Sequence, residues 1–489
     1  MFHNNLPLLY LSMTFPDPVV QEFRLHLDSL YADSTITPDE ELLIRFEDTI
    51  RYDSALHNEV QILYHLAPII LQIINSNETT GECKEYVISL LDILLPYYTF
   101  KQVTSIFNQE LLLKAIHDKR LKLIIIKLLI RGDVEFLRDG QLFKCLFNIL
   151  ADPNEPIAIV NLTERAIVAI VMKSDIFRLK LLNDYEITNI MNDMKHNKIV
   201  QSRLIDLICE VLPVVPTLDT SKYLIGEEEI SLSNDLLFYR FSVDTWKRLL
   251  LLLKDNEDLG FLKNKMEPQL DFCSRLFVGE NTLLDGNDVF IDYEDFGTVQ
   301  CLTRLSYVVP ELFAQFDSKY HLIDYAMDKY CVYEKAVFFL TGVNTIFLRE
   351  KNADFFEKFK LSHRTIDLFC HLILDTFIAS HYFDKSELQK IGFDKLIFDD
   401  LLQIFSILSS SDILISKMVN DCPYIITKVI NTNINNEVFV KTQLIESSLN
   451  AIVASKVPLG NLQTPIEEKI KDLRGQVYIT VEEPLTEHI

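Results

Sequence analysis

Residues 183–216 read NDYEITNIMNDMKHNKIVQSRLIDLICEVLPVVP, a stretch whose apolar residues recur at helical spacing. In its second half the spacing is i, i+4, i+7, i+8, i+11, at Val200, Leu204, Leu207, Ile208 and Val211. The charged residues Arg203, Asp206 and Glu210 fall on the opposite side. The pattern predicts an amphipathic helix over Val200–Leu212, with one face in a core and the other available to a partner.

The same kind of stripe recurs along the chain. Helices are predicted at Tyr86–Leu95, Gln109–Ile116, Leu121–Ile130, Gln141–Leu150, Ile157–Met172, Ile187–Met194, Val200–Leu212, Val299–Val308, Lys335–Leu348, Thr365–Ile378 and Lys441–Ala454. Analogous starts at Leu111, Leu142 and Ile187 lie 31 and 45 residues apart, which brackets the period of about 40 typical of armadillo and HEAT repeats.

Composition favours the same architecture. Only 12 glycines and 16 prolines occur in 489 residues, while 48% of the residues are hydrophobic. Average usage would supply roughly twice as much glycine and proline, so turn-rich sheet folds are disfavoured. Helical repeats bury a continuous core by stacking. The predicted fold class is therefore all-α, an armadillo/HEAT-like α-solenoid.

The predicted domain organisation is simple, because no Pro/Gly/Ser-rich linker divides the chain. Residues 1–16 are expected to form a flexible leader, and a more polar start at Met13 leaves initiation there open. A single repeat domain is predicted over 17–475, its first helix starting at the capping box Thr37-Pro38-Asp39-Glu40. An acidic loop is predicted at about 279–297, and an extended tail at 476–489.

Charge and cysteine spacing limit the functional classes. The formal net charge is −24, from 47 Lys plus Arg against 71 Asp plus Glu, and such a surface repels phosphate backbones. Direct nucleic-acid binding is therefore not expected. None of the eight cysteines forms a CxxC pair, which argues against a zinc or redox site and predicts a reducing compartment, the cytoplasm and also the nucleus. No membrane segment is predicted.

Motifs of catalysis and metal binding are missing. The sequence contains no GxGxxG, GxxxxGK[ST], GxSxG or HExxH, and we expect no enzyme activity and no cofactor. His363, His371 and His381 lie near Asp367 and Asp384, but they lack the i, i+4 spacing of helical metal ligands. The acidic loop lacks the ligand order of an EF-hand. No metal site is predicted.

One concentrated basic patch occurs, and it has two interpretations. It comprises Lys119, Arg120, Lys122, Lys127 and Arg131. It could dock an acidic segment of a partner, or it could be the solvated face of one helix.

A family resemblance is carried by residues 86–216, which include YVISLLDILLPYYTFKQVTSIFNQELLLKAI at 86–116 and the stretch quoted first. The C-terminal pieces KTQLIESSLNAIVASKVPLGN and RGQVYITVEEPLTEHI add to it. These resemble the proteasome assembly chaperones that include mammalian proteasome non-ATPase regulatory subunit five and its yeast counterpart. About a third of the chain is covered, and residues 220–430 match only in helical character.

The resemblance implies a C-shaped repeat stack that is a monomer when free. It implies binding to the C-terminal domain of one AAA ATPase subunit of the regulatory-particle base. The chaperone would scaffold that subunit's ATPase pair with a large non-ATPase subunit, then leave when the base docks on the core particle. The yeast relative is also connected with DNA mismatch repair, which the net charge makes an indirect role. Contact with the partner is expected at Arg203, Asp206, Glu210, Lys127 and Arg131.

Two other functional classes stay open. A nuclear-transport-like or other solenoid adaptor would also be acidic and helical, but it would be expected to show a repeated Trp/Asn array, and this chain has one tryptophan, Trp246. A helical enzyme would depend on residues such as His371 or Asp367, and loss of turnover on their mutation would reveal it.

Overall fold

The computed structural model describes residues 17–52, 60–233, 235–255, 260, 262–280, 296–349, 351, 353–383, 396–432 and 439–479. Secondary structure in these ranges is helical, and no strand occurs among them. The all-α prediction is confirmed. The predicted leader, most of the acidic loop, and the tail beyond residue 479 lie outside the described residues. None of the described helices is long and apolar enough to cross a bilayer.

The chain divides after Leu224 into two compact units, whose described residues lie within 17–224 and 225–479. The helices of the first unit are α1 Pro18–Ala32, α2 Glu40–Tyr52, α3 Val60–Asn75, α4 Gly81–Leu94, α5 Phe100–Thr104, α6 Gln109–Ala115, α7 Lys122–Ile130, α8 Gln141–Ala151, α9 Ile157–Lys173, α10 Asp175–Asn183, α11 Tyr185–Met194 and α12 Lys198–Val211. Helices α7, α9 and α12 pack side by side, and α8 and α11 form the second layer behind them.

The second unit repeats this two-layer arrangement. Its helices are α13 Glu227–Ser233, α14 Leu236–Asp255, α15 Leu262–Lys265, α16 Glu267–Val278, α17 Phe296–Val308, α18 Pro310–Tyr320, α19 Leu322–Lys329, α20 Glu334–Gly342, α21 Ala353–Lys358, α22 Ile366–Leu374, α23 Thr376–Tyr382, α24 Phe398–Leu408, α25 Asp412–Asp421, α26 Pro423–Asn431, α27 Phe439–Ala454 and α28 Gln463–Ile479. Helices α14, α17, α20, α22, α24 and α27 pack in one row.

The first described helix begins earlier than predicted. Asp17 caps α1, its Oδ1 accepting from the backbone N of Val19 at 2.8 Å and of Val20 at 3.1 Å, and Pro18 occupies the first turn. The next helix is capped by Asp39 rather than Thr37, because Asp39 Oδ1 accepts from Leu42 N at 3.0 Å. A carboxylate at the cap also interacts favourably with the helix dipole.

Two other predicted elements differ in extent. The stretch Thr365–Ile378 is split into α22 and α23, because Asp375 accepts from the backbone N of Phe377 and Ile378 and caps a new helix. At the C-terminus, residues 476–479 were expected to be extended but form the last turn of α28. A helix already formed gains one hydrogen bond for each residue added, which outweighs the β preference of valine, tyrosine and isoleucine.

Candidate partner-binding surfaces

Helix α12 has the predicted amphipathic character. Asn197 caps it, accepting from Ile199 N at 3.0 Å, and the helix packs against α9. The predicted core stripe is confirmed, because all of its members are at most 4% exposed: Val200, Leu204, Leu207, Ile208 and Val211. On the other face Arg203 and Asp206 are half-buried and Glu210 is exposed.

Arg203 ties α12 to the turn between α8 and α9. Its Nη1 donates to the carbonyl oxygens of Leu150 at 3.2 Å and Asp152 at 2.7 Å, and its Nη2 donates to that of Glu155 at 3.5 Å. Burial lowers the pKa of Arg203, against the opposing effect of the Asp152 and Glu155 carboxylates. The last carbonyls of a helix lack partners within it, so the guanidinium supplies donors that α8 needs.

Arg131 makes the same kind of tie one repeat earlier. It directly follows α7 and donates to three carbonyls in the turn just after α4, those of Leu95 at 2.9 Å, Pro96 at 3.1 Å and Tyr98 at 3.2 Å. Burial lowers the pKa of Arg131 as well. These contacts give both predicted arginines a role inside the fold, while their contact with a partner stays a prediction.

The residues of the basic patch have partners in different neighbouring elements. Lys127 Nζ lies 2.8 Å from both carboxylate oxygens of Asp92 in α4. Lys122 pairs with Glu155, and both side chains are about 10% exposed, at 11% and 10%. Neither interpretation of the patch anticipated this division. The acceptors lie 33 to 53 residues away in sequence, so the repeat period itself was the signal that could have located them.

A groove lies in the second unit, along the row formed by α17, α20, α22 and α24. Its volume is about 750 Å³, within the range of small ligand sites. At one end Phe296 and Phe338 meet edge to face with ring centroids 5.3 Å apart, and Leu374 lies exposed beside them. Sequence reasoning missed this groove because its residues come from four separate helices.

The other end of the groove is polar. His363 Nδ1 lies 2.8 Å from Oδ1 of the buried Asp400, and Gln403 donates to Asp367. Cys370 forms part of the floor, and burial, followed by the charges of Asp367 and Asp400, raises the pKa of its thiol to about 12. A thiol with that pKa is protonated at neutral pH, so Cys370 is not a nucleophile there.

The three histidines of this region do not converge. His363 faces Asp400, His371 Nε2 hydrogen-bonds the Val343 carbonyl at 2.9 Å, and His381 Nδ1 lies 2.9 Å from the Phe377 carbonyl. Burial lowers the pKa of His371, so its ring is neutral at pH 7. Asp384 lies outside the described residues. Within the ranges that the structure covers, no three His, Cys, Asp or Glu side chains are grouped to hold a metal ion.

Solved structures with the same architecture are nuclear-transport solenoids. The "Kap95:Nup1 complex" has a TM-score of 0.50 and 12% identity, covering 93% of this chain and 64% of the Kap95-complex chain. A structure of Kap95p with RanGDP has the same TM-score and identity, covering 95% and 64%. The chain thus spans 64% of the length of these relatives. At this identity the likeness shows the fold alone, and it agrees with the predicted helical solenoid.

The sequence comparison is more specific. No curated protein matches the chain. Residues 24–243 match the family described as "DNA mismatch repair protein HSM3, N terminal domain". This region contains α12, Arg203 and the whole of the segment 86–216, which carries most of the resemblance. This stretch is thus similar to the HSM3 N-terminal domain, and the match supports the predicted resemblance to the yeast proteasome base assembly chaperone family.

Proposed function

We propose that this protein is a chaperone for assembly of the base of the proteasome regulatory particle. In this proposal it binds the C-terminal domain of one AAA ATPase subunit and scaffolds that subunit's ATPase pair with a large non-ATPase subunit. The observation that carries the proposal is the match of residues 24–243 to the HSM3 N-terminal domain. The helical repeat architecture supports it, since such stacks usually bind other proteins.

The mechanism requires no covalent chemistry. Two layers of helices, joined by side-chain ties such as those of Arg131 and Arg203, form a surface that changes little on binding. A preformed surface that holds a subunit in one orientation lowers the entropic cost of the next assembly step. The bulk of the chaperone would also delay docking of the base on the core particle until the chaperone leaves.

The best candidates for direct contact in the first unit are Asp206 and Glu210. Both lie on α12 opposite its buried stripe, and they present negative charge together with the acidic surface of the chain. A partner domain with basic residues would be steered toward such a surface. Arg203, Arg131 and Lys127 remain predicted contacts, and their hydrogen bonds and ion pairs within the fold would also hold the repeats in position.

Binding to purified ATPase C-terminal domains tests the proposal. One of these domains should bind the full-length chain, and the Asp206→Lys/Glu210→Lys variant should weaken that binding at least about tenfold, because desolvated interfacial charges are costly to reverse. Glu82→Lys/Glu85→Lys is the matched control, with the same charge change on two exposed positions of α4. Equal binding by both variants would place the docking surface elsewhere.

Affinity purification from the native cell separates this function from the alternatives. We expect the ATPase, its pair partner and a large base subunit. Recovery of transport cargo without any ATPase would favour the nuclear-transport-like adaptor. Recovery of DNA at physiological salt would contradict our view that a mismatch-repair role is indirect. None of the eight cysteines, all of which lie in the described ranges, is in a disulfide, which fits the cytoplasm or the nucleus as the site of assembly.

A further inference from the structure

The groove of the second unit lies beyond the part of the chain that matches the HSM3 domain. It has a charged end and an apolar end on the same helix face, because Asp367 and Leu374 are seven residues apart on α22. Seven residues make two helical turns, so the two ends are separated by about 10 Å. Leu374 is 51% exposed and Phe338, across the groove on α20, is 38% exposed.

The charge of the groove is predominantly negative. Glu334, Asp367 and Asp400 line it, and Arg364 is the one lysine or arginine among the described lining residues. Two histidines, His363 and His371, complete the titratable groups that form its walls together with Cys370. The Asp400 side chain is only 6% exposed and lies 2.8 Å from His363 Nδ1, so its position at the polar end is fixed.

The negative charge also acts on a side chain of the groove itself, that of Cys370. The pKa of the Cys370 thiol is raised by burial and additionally by Asp367 and Asp400. Both carboxylates therefore act on the floor of the groove rather than only on the outer solvent. A negatively charged ligand, such as an acidic peptide or a phosphate backbone, would be repelled there.

We infer that this groove docks a cationic amphipathic helix from a partner protein. A lysine or arginine of that helix would face Asp367 at the polar end. An aliphatic or aromatic side chain about two turns further along would pack between Phe338 and Leu374, as in other helix-in-groove complexes. The inference stands on the groove's own residues and does not depend on the identity of the assembly partner.

A peptide-binding experiment with the full-length chain tests the inference. The probe is a short alanine-based helical peptide with lysines at one end of a face and leucines two turns along it. Its matched probe has glutamates in place of the lysines. Fluorescence anisotropy should show binding of the lysine peptide only, and this binding should weaken when NaCl is raised from ~0.05 to ~0.5 M, because salt screens exposed charges.

Variants then locate the binding site. Glu334→Lys/Asp367→Lys should weaken binding of the lysine peptide about tenfold or more, and Leu374→Ala should weaken it severalfold. The neutral pair Glu334→Gln/Asp367→Asn covers the case in which charge reversal disturbs folding, and circular dichroism monitors folding. Glu468→Lys, at an exposed position of α28, is the control and should bind like the wild type.

Three results would overturn the inference. They are equal binding of both peptides, wild-type affinity in the neutral pair variant, and hydrogen-exchange protection on peptide binding that leaves α20 and α22 unchanged. Each is independent of the proposed chaperone function, because that function is tested with ATPase domains and substitutions in α12. Failure of one proposal can therefore be told from failure of the other.

Discussion

At the scale of single residues, the most informative side chains are the arginines that join consecutive repeats. Arg131 follows α7 and donates to carbonyls just after α4. Arg203 lies in α12 and donates to carbonyls at the end of α8 and in the turn after it. A guanidinium suits this task because it carries five donors in a planar fork and stays charged. Their sequence positions were predicted to matter, but for a partner rather than for the fold.

Arg203→Ala should destabilise the first unit by about 1–3 kcal/mol, because it leaves carbonyls of the α8–α9 turn without their donor. Arg203→Lys should be intermediate, since one ammonium cannot span the same acceptors. Urea unfolding followed by circular dichroism measures the change. Arg165→Ala, at an exposed arginine of α9, is the control and should stay within about 0.5 kcal/mol of the wild type. A wild-type midpoint for Arg203→Ala would mean that these hydrogen bonds contribute no net stability.

At the scale of elements, the predicted helices are close to the observed ones wherever an apolar stripe is long. The prediction Gln141–Leu150 corresponds to α8 at Gln141–Ala151, and Ile157–Met172 to α9 at Ile157–Lys173. The prediction from the apolar stripe was wrong at Asp375, where α22 ends and α23 begins. Periodicity continues through that point in sequence, but Phe377, which follows the new cap, is 40% exposed.

Asp375 also gives this junction a pH dependence. Its side chain is 2% exposed and accepts from Thr345 Oγ1 at 2.8 Å and Arg349 Nε at 2.9 Å. Burial raises the pKa of Asp375, but hydrogen bonds from Thr345, Arg349 and the Ile378 backbone outweigh burial, so the pKa lies below its ordinary value. A carboxyl whose pKa is lower in the folded state stabilises the fold above its unfolded pKa, and that contribution is lost as the pH falls through the folded pKa.

Asp375→Asn should therefore cost about 1–3 kcal/mol at pH 7, where the wild-type carboxylate is charged. The difference between variant and wild type should be unchanged at pH 5 and should shrink below about pH 4, near the unfolded pKa of an aspartate. Urea unfolding at a series of pH values measures it. A difference that stays constant into this acid range would show that the charge of Asp375 is not the stabilising feature.

At the scale of the whole molecule, the two compact units predict two unfolding events. Stability in a repeat stack comes mainly from contacts between neighbouring repeats, so damage in one place need not lower the stability of a distant region. The single tryptophan, Trp246, is 1% exposed in α14, so its fluorescence reports on the second unit.

Leu204→Ala should lower the stability of the first unit by about 2–5 kcal/mol through a cavity, because Leu204 is fully buried. Circular dichroism should then show an earlier loss of helix while the Trp246 fluorescence midpoint changes little. Leu302→Ala, at a fully buried position of α17, should instead shift the fluorescence midpoint. Equal shifts of both signals in each variant would indicate a single cooperative unit.

The sequence by itself determined the helical class, the repeat character and the core face of helices such as α12, because helical periodicity of apolar residues is a local property. Residues 86–216 also carried the family resemblance, and the family match over residues 24–243 supports it. The tertiary structure alone decided what the polar residues do. Arg203 and Arg131 meet carbonyls dozens of residues away, and the groove at Asp367 and Leu374 is assembled from four helices, so both depend on stacking distances that no local pattern encodes.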